Sequence, residues 1–512
     1  MSQTGIHATQ LILLLLLLFV TAFAALARKL HTPYPIVLVI AGLLLGFVPG
    51  IPRISLEPDL IFLIVLPPLL YSAAWLTSWR DFRKNLLNIS MLAFGLVGFT
   101  VAAVAWAGPW LFPGFDWRIG FVLGATVATT DPIAATSIAK RIGLPKTIVD
   151  LLEGESLIND ATGLLALEFA TLMVVSGQNP TVGAGFLRLA YLSLAAIGTG
   201  LVLARIVEWF GHKLDDGPIE IALSILVPYA AYLAAEAIHA SGVLAVVVAG
   251  LYLGRKSSEL FSPGVRIQMH AVWDSLTFVL NGLVFVLIGL QLRSVMAGVR
   301  EMRPGKVILY GALVSIFLIV LRLVWTFPGA YAAYFIRTRL LHQNQERPSA
   351  RQVFVVGWTG MRGVLALAAA LSLPPALADG SAFPHRDLIV FLTFSVIVVT
   401  LVFQGLTLSP LIRLLGLAGT DKSKREEQEA RRMVLEATLA RLEEIRRDDP
   451  EGIGDVYEDL ARHYEHRLAS LGGGNVEPDN SGAVHYYRYL DLSRRLLGSN
   501  GRPPCVCGTK AT

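Results

Sequence analysis

The chain has 512 residues, of which 54% are hydrophobic and 16% charged, and carries a formal net charge of +5. Its mean hydropathy is +0.60 and its pI about 9.1. So much apolar surface excludes a soluble globule, and basic residues scattered through short loops exclude a nucleic-acid-binding face. Apolar runs extend from about Thr9 to about Gln404, and about 20 residues span a bilayer as helix. An all-α polytopic membrane protein follows, with basic loops suited to an anionic lipid bilayer.

About thirteen spans are predicted, with approximate limits 9–27, 33–48, 59–76, 86–107, 117–139, 147–175, 182–208, 218–239, 241–254, 270–292, 306–336, 351–375 and 387–415. The ninth is short, and fusing it with the eighth as one hairpin would give twelve. Leu11 to Ala27 is preceded by no Lys or Arg and followed by Arg28 and Lys29. That is the wrong charge order for a signal peptide, so a retained first helix with its N-terminus outside is expected. The loops then facing inward hold about twice as many Lys and Arg as those facing outward, the run Arg293 to Lys306 being the exception. The C-terminus is therefore expected on the cytoplasmic side of the cell (inner) membrane.

In the fifth span, Thr129-Thr130-Asp131-Pro132 predicts a break. Proline removes a donor and clashes with the preceding turn, while Thr and Asp side chains can serve the freed backbone. A helix N-terminus would begin at Pro132 with Asp131 near its cap. An ordinary proline kink is the plainer alternative. The sixth span carries Glu155-Ser156-Leu157-Ile158-Asn159-Asp160. Residues four apart share a helix face, so Glu155 and Asn159 form one stripe and Ser156 and Asp160 the next. Ionised carboxylates in hydrocarbon cost several kcal/mol and are kept for work or a partner. A hydroxyl beside a carboxylate is hard-oxygen chemistry, suited to Na+, Li+ or H+; a polar ladder between helices is the alternative.

Arg322 in the eleventh span needs an acid or helix-end carbonyls, and Arg362 in the twelfth, within Gly360-Met361-Arg362-Gly363, lies too deep to snorkel and needs the same. Arg362 is expected to be the buried cation that pairs with Glu155. The fifth and twelfth spans are both interrupted and lie seven spans apart. That spacing predicts two inverted six-helix repeats, spans 1–6 and 8–13, with a site at the midplane. Beyond about Gly416 the composition changes to a charged, amphipathic pattern: a soluble helical tail, 417–512, appended to a transmembrane domain, 1–416. Cys505 and Cys507 are too close for a ready disulfide and too few for zinc, and no role is assigned to them.

Thr130-Asp131-Pro132, the run Leu152 to Asp160, and Gly360-Met361-Arg362-Gly363 together resemble the monovalent cation:proton antiporters of the sodium/proton exchanger superfamily. The Asn-Asp type of bacterial NhaP-like proteins is the most similar. Leu66-Pro67-Pro68-Leu69-Leu70 and Gln404-Gly405-Leu406-Thr407 look like the same branch. The resemblance covers about residues 10 to 416. It implies that Asp160 binds cation or proton, with Asp131, Ser156 and the Thr130 carbonyl as co-ligands for Na+. It implies that Glu155, Asn159 and Arg362 form a structural polar cluster, and that Asn159 marks electroneutral exchange. Many relatives carry an acid near Ser72, which this chain lacks.

The expected activity is antiport of Na+ or Li+ against H+, by a homodimer in the membrane with no cofactor, no enzyme chemistry and no nucleic acid. A K+/H+ antiporter on the same scaffold is the alternative. A Na+-coupled organic-anion symporter, a paired-aspartate intramembrane protease and a sensor signalling through the tail are further rivals.

Overall fold

The computed structural model describes residues 3–48, 57–177, 182–214, 216–343, 347–377, 380–419, 422–448 and 454–471. Among these, helices run in chain order as α1 (Gln3–Lys29), α2 (Tyr34–Gly46), α3 (Pro58–Leu76), α4 (Trp79–Leu111), α5 (Trp117–Thr126), α6 (Ile133–Ile142) and α7 (Lys146–Ser176). They continue as α8 (Val182–Gly211), α9 (Gly217–Ala237), α10 (Gly242–Leu260), α11 (Pro263–Gly298), α12 (Pro304–Leu340), α13 (Ala350–Trp358), α14 (Val364–Leu371) and α15 (Arg386–Leu414). One isolated antiparallel bridge, Ala376 to Ala382, stands in place of any sheet among the described residues.

Among the described residues, eight helices are long and apolar enough to cross a membrane, α3, α4, α7, α11, α12 and α15 being six of them. The helix starts follow local chemistry. Asp116 accepts from the Ile119 N–H at 2.8 Å, and Ser78, Asp216, Ser241 and Ser262 cap α4, α9, α10 and α11 the same way. Proline stands in the first turn of α2, α9, α11 and α12, where its missing donor costs nothing.

Several limits differ from the sequence reading. The fourth span starts at Trp79 rather than near 86, because Ser78 caps it. The tenth starts at Pro263 rather than near 270, behind the Ser262 cap. The ninth is a full helix of 19 residues, separated from α9 by a short turn, and not part of a hairpin within the eighth.

The chain divides into two compact units, residues 1–420 and residues 421–512. In the first, the described residues form two large apolar clusters and a small one of alanines from α8 to α10. One large cluster gathers mainly α2, α4 to α7, the second half of α11 and α12 to α15; the other gathers mainly α3, α8, α9, α10 and the start of α11. The α2 helix lies along α11 and also touches α6 and the 400–404 stretch of α15. That stretch, Thr400–Gln404, is one of four short π-helical turns set into longer helices among the described residues. The second unit holds α16 (Lys422–Asp448) packed on α17 (Gly454–Leu471), with solvated ion pairs such as Arg432–Glu436 at 2.8 Å. Cys505, Cys507 and the third amphipathic stretch expected at Val484 to Leu497 lie outside the described residues.

Candidate functional site

Two interrupted helices meet at the centre of the first unit. Helical geometry is lost between α5 and α6, at residues 127–132, and between α13 and α14, at residues 359–363. Proline at 132 has no N–H for the Ala128 carbonyl, so a hydrogen-bond partner must come from elsewhere. Arg362 supplies it: its Nη1 donates to the carbonyls of Ala128 and Thr129, 3.2 Å each. The Ile133 N–H, released from the ladder, donates to Asp131 Oδ1 at 2.9 Å. The Thr130 carbonyl accepts from the Ser156 hydroxyl on α7 at 2.8 Å. The Asp131 N–H crosses to the Met361 carbonyl at 2.8 Å, and the Arg362 N–H reaches Thr400 Oγ1 at 3.0 Å. Each break is thus closed by groups of the other break or of α7 and α15.

Two glycines make the crossing close enough. A Cβ at Gly363 would lie 2.5 Å from the Asp131 carboxylate, and one at Gly360 would lie 2.1 Å from the Arg322 side chain. Any larger residue would push these charged groups out of register.

Glu155 on α7 is 1% exposed and is held in a fork by Arg322 of α12, at 2.5 and 2.9 Å. Arg322 also donates to the Val356 carbonyl of α13 at 3.2 Å, which ties α7, α12 and α13 together. Thr130 Oγ1 donates to Glu155 Oε1 at 3.3 Å and accepts from Asn159 Nδ2 at 2.5 Å. The expected Glu155–Arg362 pair is therefore corrected. Glu155 takes Arg322, and Arg362 serves freed backbone carbonyls, because the proline break leaves it acceptors at short range.

Asp160, one step round α7, is 8% exposed and makes no hydrogen bond among the described residues. The acids that act on it through space are Asp131 and Glu155. Ser156 is buried on the Asp160 face, one turn before it. The structure thus brings Thr130, Asp131, Glu155, Ser156, Asn159 and Arg362 into one bonded network, with Asp160 beside it and unengaged. Ser72 is buried, and its hydroxyl donates to the Leu69 carbonyl of its own helix at 3.1 Å. Glu168 forms a half-exposed pair with Arg188 at 2.8 Å.

Sequence reasoning gave Arg322 no more than a general need, and it missed the Thr130 hydroxyl and Thr400. A charge isolated in the most apolar of the eight long helices was the available signal for Arg322. No signal marked Thr400, whose role depends on α15 packing against the break between α13 and α14, 38 residues away from it at Arg362.

A helical membrane bundle in which two broken helices cross beside a buried, unengaged carboxylate is the architecture of a secondary transporter. The chain belongs to the sodium/hydrogen exchanger family: the family's transmembrane model, described as "Sodium/hydrogen exchanger, transmembrane", matches residues 14–414. It is 34% identical over 436 residues to a sodium, potassium, lithium and rubidium/H+ antiporter of Bacillus pumilus, covering 81% of this chain and 63% of that protein. It is 33% identical over 416 residues to the Na+/H+ antiporter ApNhaP of Aphanothece halophytica, covering 81% and 76%. Its fold matches the sodium proton antiporter MjNhaP1 of Methanocaldococcus jannaschii with a TM-score of 0.60 at 20% identity, over 80% of this chain and 99% of that one. The family is one of transporters, not of enzymes.

Proposed function

We propose that the chain is a secondary active antiporter that exchanges Na+ or Li+ for H+, one for one, by alternating access around Asp160. Charge balance at the site carries this reading. The carboxylates of Asp131, Glu155 and Asp160 stand against the guanidinium groups of Arg322 and Arg362, which leaves one negative charge in excess. An uncompensated charge is too costly to carry through hydrocarbon. One proton or one monovalent cation makes the site neutral, and the two compete for the same carboxylate, so each displaces the other.

The co-ligands offered to a cation are hard oxygens: Ser156 Oγ, the Thr130 carbonyl, and Asp131 Oδ2, since Oδ1 is engaged by the Ile133 N–H. Asn159, an amide where a second acid would add charge, supports electroneutral exchange. The paired breaks support a thirteen-span molecule of two inverted six-helix repeats, in which a core holding the crossing moves against a scaffold. In this reading residues 1–416 are the transport domain and 417–512 a cytoplasmic helical tail. The working form is a homodimer in the inner membrane that needs no cofactor. The second reading is K+/H+ exchange, favoured by the potassium and rubidium in the name of the Bacillus pumilus relative.

Proteoliposomes with an acid interior and a pH-sensitive dye test both. Recovery of dye signal on adding Na+ or Li+ supports the first reading. Recovery with K+ alone moves the assignment to the second, and no recovery with any of the three ends it.

Two variants probe the periphery of the site. Asp131→Asn keeps an oxygen for the Ile133 N–H but loses the charge, so the half-saturating Na+ concentration should rise more than the maximum rate falls. An unchanged half-saturation would restrict Asp131 to capping α6. Separately, a chain ending at Thr420 keeps every group of the crossing and should retain exchange. Complete loss of flux, in a truncated protein that still inserts and purifies, would place part of the machinery in the tail.

A further inference from the structure

Gln404 stands out in α15. It is 1% exposed, and neither Nε2 nor Oε1 of its carboxamide has a hydrogen-bond partner among the described residues. Its stripe of the helix also holds Leu401 and Leu408, both fully buried, and the buried Thr400 one turn earlier. A buried amide without partners destabilises the conformation that contains it, so such groups are rare. A Leu or Met would pack in that stripe without the penalty.

Its position is equally specific. Gln404 ends the π-helical turn Thr400–Gln404, and Thr400, one turn earlier, accepts the Arg362 N–H. The next residue, Gly405, lies against Ile36 of α2, a Cβ there falling 2.6 Å from the Ile36 side chain, and near Met361 of the second break. Met361 in turn accepts the Asp131 N–H. Gln404 therefore sits at the seam between the crossing and α2. Helix α2 is packed along α11, outside the helices that form the crossing.

We infer that Gln404 is a positioning residue of the transport cycle: its carboxamide is unmatched in the conformation described here and gains partners when the crossing shifts along α2 to the opposite-facing conformation. This rests on the alternating-access reading above. The amide raises the free energy of one end state and lowers that of the other, and so brings the two closer in population. Gln404 touches no transported ion, and its effect falls on the rate of exchange between states.

The test uses the full chain in proteoliposomes and in detergent, with Gln404→Met (similar in length, apolar) and Gln404→Leu as a second variant. Removing the unmatched amide should raise the melting temperature above that of the unaltered protein. It should also lower the maximum exchange rate, about tenfold if the amide's full penalty is felt, at unchanged half-saturating Na+. An unchanged maximum rate, or a lower melting temperature in both variants, would overturn the inference, because the amide would then be matched or inert in this conformation. The unaltered protein and Asp160→Asn, measured in parallel, test the exchanger reading itself. Failure there is seen in proteins whose Gln404 is intact.

Discussion

Asp160→Asn should reduce cation-driven proton movement in proteoliposomes to background while leaving the melting curve at or above that of the unaltered protein. The two halves of this result come from different observations. Asp160 makes no hydrogen bond among the described residues, so the fold loses no contact with its charge, and the repulsion from Asp131 and Glu155 is relieved. Transport fails because the amide can neither release a proton nor neutralise a cation. The excess negative charge disappears, two carboxylates then face two guanidinium groups, and an empty site can cross the membrane without coupling anything. Residual Na+-dependent proton flux in this variant would show that the exchanged ions bind elsewhere.

Arg322→Ala should be the most damaging single change to stability. It leaves Glu155, 1% exposed, without its cation, and breaking a buried pair costs about 3–5 kcal/mol. It also removes the donor to the Val356 carbonyl, loosening α13. Glu155→Gln with Arg322→Gln should be milder than the sum of the two single changes, because each single variant strands a charge that the double variant does not. Melting temperatures in detergent decide this, and strict additivity would refute the coupling. Pairing Glu155→Gln with Arg362→Gln should give no such relief, since Arg362 answers to the Ala128 and Thr129 carbonyls.

The contrast between those two arginines marks the limit of what the sequence can say. Both were visible as charges too deep for solvent, and the break at Pro132 was visible from proline chemistry alone. The stripe of Ser156 and Asp160 followed from helical spacing. Partner choice was not legible, because it depends on where α12 and α13 lie relative to α7. Glu155 and Arg322 are 167 residues apart, and no local rule connects them. Gln404 was legible as a motif residue and no more. That its amide is unmatched is a property of three-dimensional packing, invisible in any periodic pattern. The start of α4 is hidden for a simpler reason: an amphipathic first turn, Trp79-Arg80-Asp81-Phe82, looks like a loop on a hydropathy scale although Ser78 caps it as helix.

The crossing has a consequence for descent. Segments around 130 and 362 lie more than two hundred positions apart, yet the backbone of one is completed by the other, through Asp131 to Met361 and Arg362 to Ala128 and Thr129. Neither can change its conformation alone without stranding polar backbone groups that the other now satisfies. Mutation therefore acts on them as on one locus: a proline or glycine moved in the first segment is tolerated only with a matching change in the second. Lineages of this protein should keep both interruptions or lose both.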